Sequence, residues 1–331
     1  MKSIRRILFA VRDPRASQQP GLAKAIQIAQ AFDATLELFH TLNDPLFVEF
    51  TRPEDNTVDT LRERVEEEAR IPMIRMCAKA RRHGVPAEYS VEWDYPPHEA
   101  IVRRAAAIGA DLIIAQCHKG ERTRPWLIHL TDWELLRTSP LPVLLLKNGK
   151  PYHRPLTLAA VDPAHAHAKP HRLDKQILES AAEVANALRG PLHMMHANYP
   201  SIAGLPEVQP TVNRKWATRS YEELKEQGRQ AFENFRAESK VVRTRAHLSV
   251  GNPVIEIPRQ ARELGAQIVV MGALSRSGVM RFLIGNTAER VLEALPCDVL
   301  VIKPDGFTTQ VSQAPKGMRV IAPTPLAAMM S

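Results

Sequence analysis

Three cysteines in 331 residues are too few for a disulfide framework. Cys77, Cys117 and Cys297 are odd in number, far apart and without C-x-x-C spacing, the pattern expected of reduced cytosolic thiols. A long apolar run is missing too. The opening MKSIRRILFAVRDP starts basic, like a signal peptide, but its apolar stretch at 7–11 stops at Arg12 and Asp13. That is too short for a signal core or a bilayer span, so the chain is expected to be soluble and cytoplasmic, with no membrane partner. Blocks of like charge are absent as well. Lys and Arg number 44 against 36 Asp and Glu, a net charge of +8, but the cations are spread along the chain. Such dispersion supports only nonspecific attraction to polyanions, and no specific nucleic acid is expected.

The familiar catalytic signatures are also lacking. There is no G-x4-G-K-[S/T], no G-x-G-x-x-G after the first strand, and no Ser-His-Asp or paired-carboxylate arrangement. His165, His167 and His171 form a short histidine-rich stretch without a fourth ligand, so no metal site is expected. His193 and His196 lie three apart on a strand and point to opposite faces.

The stretch that is most informative runs from 271 to 292, MGALSRSGVMRFLIGNTAERVL. It follows the apolar run 267–270, which is short, β-branched and entered through Gly265, as in a buried parallel strand. It leads into a helix announced by Asn286-Thr287-Ala288-Glu289, a cap residue followed three positions later by a carboxylate. Gly272 therefore ends a strand and Gly285 precedes a helix. Those are the two places where an open α/β sheet receives anionic ligands, and a missing Cβ allows backbone to approach phosphate.

Along the chain, strands are predicted near 4–11, 35–40, 87–93, 111–115 and 142–146, with helices between them at about 20–32 and 54–82, one opening at Pro97–Ile101, and one at about 127–138. Pro72 should kink or divide the second helix. Alternation of this kind gives a doubly wound parallel sheet. The second half repeats the plan. Gly109-Ala110-Asp111 aligns with Gly265-Ala266-Gln267 at an offset of 265 − 109 = 156, and Pro97 with Pro253, Thr131 with Thr287 and Val143 with Val299 keep it. Leu8-Phe9-Ala10-Val11 is answered by Leu158-Ala159-Ala160-Val161 at a slightly shorter spacing. The chain is a tandem duplication: one domain over 1–150, a second over 151–305, and a tail at 306–331 expected to pack poorly. Where the repeat fails, Gly272 faces Gln116, Ser275 faces Lys119 and Gly285 faces His129. The first half has lost both glycines of the loop, so nucleotide is expected only in the second.

An aspartate after strand one, five strands alternating with four helices, and a loop of the form G-x2-G-x9-G-[S/T] resemble the universal stress protein family. Thr131-Asp132-Trp133, Gly285-Asn286-Thr287-Ala288-Glu289 and Val301-Ile302-Lys303-Pro304-Asp305 carry the likeness, which covers residues 4–305. It implies two tandem, doubly wound, five-stranded parallel α/β sheets, Rossmann-like and of the adenine nucleotide alpha hydrolase kind. They would be paired through their fifth strands as an intrachain equivalent of a dimer, with further homodimerisation left open. It also implies a stress-response regulatory protein with ATP in the second domain, and Mg2+ only as the nucleotide's companion. Asp162 would meet the adenine and Ala197 would border the adenosine pocket. Gly272, Ser275, Arg276, Gly285, Asn286 and Thr287 would surround the phosphates. Ser275 stands where the family has its middle glycine, and Asn286 where it has a hydroxyl residue, with Thr287 supplying a hydroxyl one position later. The alternatives are a non-nucleotide, apolar-tolerant ligand module or interaction scaffold, and a slow ATPase.

Overall fold

A computed structural model describes residues 4–47, 58–117, 125–164, 172–200, 214–272 and 286–321. The chain divides into two compact units. The first carries β1 (Arg6–Ala10), α1 (Pro20–Phe32), β2 (Thr35–Leu42), β3 (Leu46–Phe47), α2 (Val58–Arg82), β4 (Ala87–Trp93), α3 (Pro97–Ile108), β5 (Leu112–Gln116) and α4 (Pro125–Thr138). The second carries β6 (Val143–Leu146), β7 (Thr157–Ala160), α5 (Leu173–Ala187), β8 (Leu192–Asn198), α6 (Arg214–Glu238), β9 (Ala246–Val250), α7 (Pro253–Glu263), β10 (Ile268–Gly272), α8 (Asn286–Ala294) and β11 (Asp298–Ile302). A last short strand, β12 (Val320–Ile321), belongs to the first unit.

Consecutive buried residues rather than alternation mark the central strands. Ile7, Leu8 and Phe9 of β1 are buried, as are all five residues of β11, because helices cover both faces of a parallel sheet. Helix α1 turns Leu22, Ala25, Ile26 and Ala29 inward at the spacing of one helical face. Helix α3 opens on Pro97 and closes on Gly109, whose φ of +65° sits in a space where a Cβ would meet nothing within 4 Å. Its repeat counterpart Gly265 has the same φ and the same open surroundings, so this glycine is kept for the left-handed cap alone. Pro72 does not divide α2, which runs continuously past it. The bond lost at one position is offset by burial of Ala69, Met73, Met76, Cys77 and Ala80 along the same helix.

In the first unit the strands lie in the order β4-β2-β1-β5, all parallel. In the second they lie β6-β11-β10-β7-β8-β9. All but β6 are parallel; it runs antiparallel to β11, with Leu144 opposite Leu300. Strand β6 comes from the first repeat, so the expected two sets of five are divided by the compact units as four and six. The segment is fixed there by polar contacts as well. Buried Asp298 accepts the Lys147 N–H at 2.7 Å and the Tyr152 hydroxyl at 2.6 Å, and Lys147 Nζ donates to the Leu295 carbonyl at 2.9 Å, at the end of α8.

The tail is largely exposed as far as it is described, yet it is tied to the first unit. Asp94 and Arg103 form a buried pair at 2.6 Å. Onto this pair the Lys316 N–H donates to Asp94 Oδ1 at 2.9 Å, and Arg103 reaches the Ser312 carbonyl at 3.3 Å. Lys316 Nζ lies 2.8 Å from Glu99, and the Arg319 guanidinium stacks 4.5 Å from the Tyr95 ring centre. Arg319 also donates to the Asn43 carbonyl at 2.5 Å, and its own carbonyl accepts from Leu46 N–H at 2.9 Å, which starts the β12–β3 ladder.

Candidate functional site

In the second unit, Asp162 follows the carboxyl end of β7. Its N–H donates to Asp174 Oδ1 at 2.9 Å, which fixes the strand exit against α5. The carboxylate is 25% exposed and lies 3.7 Å from Nδ1 of buried His196, beyond hydrogen-bond range. That imidazole nitrogen is instead 3.1 Å from the Val161 carbonyl. Ala197 is the next residue of β8, opposite Ser249 of β9. Gly272 ends β10, with Met271 opposite Ala160 of β7. A Cβ on Gly272 would come within 2.9 Å of Leu173 Cδ2 and 3.2 Å of Ile177 Cδ1. Glycine here admits helix α5 against the strand, a packing role that sequence reasoning did not identify. Asn286 opens α8 and Thr287 is exposed in its first turn. Ser275, Arg276 and Gly285, like His165, His167 and His171, lie outside the described residues. Asp162, Ala197 and Gly272 are thus brought to the carboxyl ends of β7, β8 and β10, neighbours in one sheet.

The first unit shows what the corresponding positions build. A cavity of about 370 Å³ opens at the carboxyl ends of β1, β2 and β5, beneath α3 and α4. A wider one of about 550 Å³ adjoins it and shares Arg12, His40, Thr41 and Asn43. Subtracting the repeat offset from Ala197, Gly272 and Thr287 (197 − 156, 272 − 156, 287 − 156) gives Thr41, Gln116 and Thr131. All three line the inner cavity. The offset on the first strand is 161 − 11 = 150, so Arg12, another lining residue, occupies the position of Asp162.

Chemistry nonetheless differs between the counterparts. Gln116 Oε1 accepts the Gly21 N–H at 3.2 Å, so the amide occupies the N-terminal turn of α1. Thr41 donates to the Asp94 carbonyl at 2.8 Å and is committed to the fold. His40 repeats His196: its Nδ1 is 2.8 Å from the Val11 carbonyl. Burial holds the His40 imidazole below its ordinary pKa, although the Val11 carbonyl, Asp13 and Asp44 pull the other way.

Sequence reasoning separated His193 from His196 but did not find the partner His193 has. Its Nδ1 is 2.9 Å from His247 Nε2, with the ring planes 6° from parallel. Burial lowers both pKa values, and for His193 the His247 and Arg245 charges add to the effect. Only the register of β8 on β9, Met195 against His247, reveals this pair. Among the described residues there is no group of three or more His, Cys, Asp or Glu able to hold a metal ion, and no helix is long and apolar enough to cross a membrane.

The universal stress protein family model matches residues 3–147 and 169–303. Universal stress protein E of Escherichia coli (strain K12) is 30% identical over 314 residues, covering 92% of this chain and 96% of that protein. Universal stress protein E of Photorhabdus laumondii is 28% identical over 314 residues, covering 93% and 98%. A functionally unknown protein from Pseudomonas aeruginosa PAO1 superposes with a TM-score of 0.67 at 27% identity, over 92% of this chain and 94% of that one. A universal stress protein from Archaeoglobus fulgidus DSM 4304 shares the fold, with a TM-score of 0.59 at 16% identity over 89% and 98%.

Proposed function

Because the chain belongs to the universal stress protein family, we propose that it is a stress-response regulator whose second unit binds ATP or a related adenine nucleotide as a signal of cellular state. One observation carries this reading: the first-unit counterparts of Ala197, Gly272 and Thr287 converge on a single cavity. Positions that build a cavity in one repeat are suited to build one in the other, where Asp162, Gly272 and Gly285 keep the family's residue types although Ser275 and Asn286 do not. Asp162, partly open at the strand end, accepts from N–H or O–H groups of base and ribose. The first turn of α8, with Asn286 and Thr287, offers backbone donors and a hydroxyl to phosphate, and Ser275, Arg276 and Gly285 complete the loop.

The proposed role is binding rather than turnover. Phosphoryl transfer requires a charge clamp and a group that orients the attacking water, and the sequence supplies no P-loop lysine. The test is mass spectrometry of whatever co-purifies, followed by ATP titration of the wild type and of Gly285→His, which copies the first-half residue. Adenine nucleotide in the extract, with affinity lost in the variant and phosphate release no faster than in it, is the expected result. No nucleotide and no binding at millimolar ATP would overturn the reading.

A further inference from the structure

We propose that His193, His247 and Met195 form a binding site for a soft, closed-shell monovalent cation, copper(I), with silver(I) as its redox-inert analogue. His193 and Met195 are two apart on β8 and so share a face of the sheet, and Met195 is the cross-strand neighbour of His247 on β9. The histidines lie towards the amino ends of these strands, away from the carboxyl ends where Asp162, Ala197 and Gly272 gather. The repeat does not demand histidine here. At 193 − 156 = 37 the first unit has Glu37, bound to Arg104 at 2.5 Å.

The shape of the pair selects the ion. A nitrogen contact of 2.9 Å between rings whose centres are 5.1 Å apart and whose planes are 6° from parallel sets the imidazoles edge to edge. Nδ1 of His193 and Nε2 of His247 are thus aimed at each other along one line, which an N–H of one ring now fills. Two donors in line are the arrangement of a two-coordinate ion, and two metal–nitrogen bonds of about 2 Å each require the gap to open by about 1 Å. Strand β9 can yield that much, because it ends the strand order and is bonded to β8 alone among the described strands.

A divalent ion with four or six ligands needs donors converging from several directions, and among the described residues no third His, Cys, Asp or Glu joins the pair. Met195 supplies a thioether instead, the kind of donor that favours copper(I). Arg245, whose charge reaches His193, repels a divalent ion about twice as strongly as a monovalent one. Burial holds both imidazoles below their ordinary pKa, so they are neutral at neutral pH, the form that ligates. On binding, the shared proton leaves the gap and the outer nitrogen of the same ring takes one up from solvent. Both rings stay neutral, and two metal–nitrogen bonds replace one hydrogen bond.

Long-range proton–nitrogen spectra of the full chain, carrying isotope-labelled histidine and titrated with silver nitrate in chloride-free buffer at neutral pH, test the assignment. The background is Cys117→Ser, which removes the half-buried thiol and keeps the buried Cys77 and Cys297. The signals of His193 and His247 are expected to move together. His193→Asn should leave the remaining His247 signal in place, and His247→Asn, on the edge strand, carries the same test should the first variant fold poorly. Met195→Leu should raise the silver concentration needed about tenfold. Signals that stay in place at millimolar silver, or that still move in the asparagine variants, would overturn the site. An unchanged response in Met195→Leu would overturn the three-donor set, and zinc nitrate moving the same two signals at equal or lower concentration would overturn the ion class.

Discussion

Gly272 separates two explanations that sequence alone cannot tell apart. Glycine at a strand end can be required by a ligand or by a neighbour, and here Leu173 Cδ2 stands 2.9 Å from where a Cβ would be. We expect Gly272→Ala to cost about 1–2 kcal/mol in urea unfolding, since the leucine end can shift only against a packed helix. ATP affinity below the transition should change less than threefold. Stability left intact with affinity lost would restore the phosphate explanation. The histidines make a second residue-scale prediction. Burial lowers the pKa of His40, His98, His193 and His247, so the unfolded chain binds more protons than the folded one just below the ordinary imidazole value of 6.5. Their contribution is present above pH 6.5 and is lost as pH falls through the lowered values. The unfolding midpoint should therefore fall between about pH 7 and 5, and His193→Asn should flatten that fall. A midpoint that rises on acidification would contradict the burial account.

At the scale of elements, the sequence was legible wherever one periodicity governed a segment. Helix α1 and strands β4 and β6 lie within a residue of their predicted bounds because apolar spacing, proline starts and turn residues agree there. Pro72 does not divide α2, because a local preference is outweighed by burial along one helix face. The places of Asp162, Ala197 and Gly272 near the carboxyl ends of neighbouring strands were readable from the predicted strands and the repeat offset. The His193–His247 pair and the Leu173 contact were not, since they depend on strand register and helix placement. The tail is the clearest case: Lys316 and Arg319 sit in a stretch without periodicity, and their role follows from Asp94, Arg103 and Tyr95, more than 200 positions away. Arg319→Ala removes the hydrogen bond to Asn43 and the stack on Tyr95. Exchange of the Leu46 amide, whose acceptor is the Arg319 carbonyl, should accelerate about tenfold. Unchanged protection at Leu46 would show that the backbone ladder holds without the side chain.

For the whole molecule, the repeat and the compact units do not share a boundary. The two family matches cover residues 3–147 and 169–303, but Pro142–Asn148 belongs to the second unit and the segment after Thr308 to the first. Cutting after Lys150 would strip β6 from β11, opening a buried edge, and would deprive the first unit of its tail. Expressed apart, the two fragments are expected to aggregate on size exclusion, and to recover a single soluble species when expressed together. Two monodisperse fragments with the thermal midpoint of the intact chain would refute this. The same exchange of segments also imposes an order on synthesis. The second unit can close as soon as β11 leaves the ribosome, because β6 has been waiting since the first half emerged. The first unit must wait for Lys316, Arg319 and β12, which are translated after every strand of the second unit. What is made first is therefore finished last, and a message truncated after β11 releases a protein whose second unit has all its sheet strands while the first still lacks its clasp.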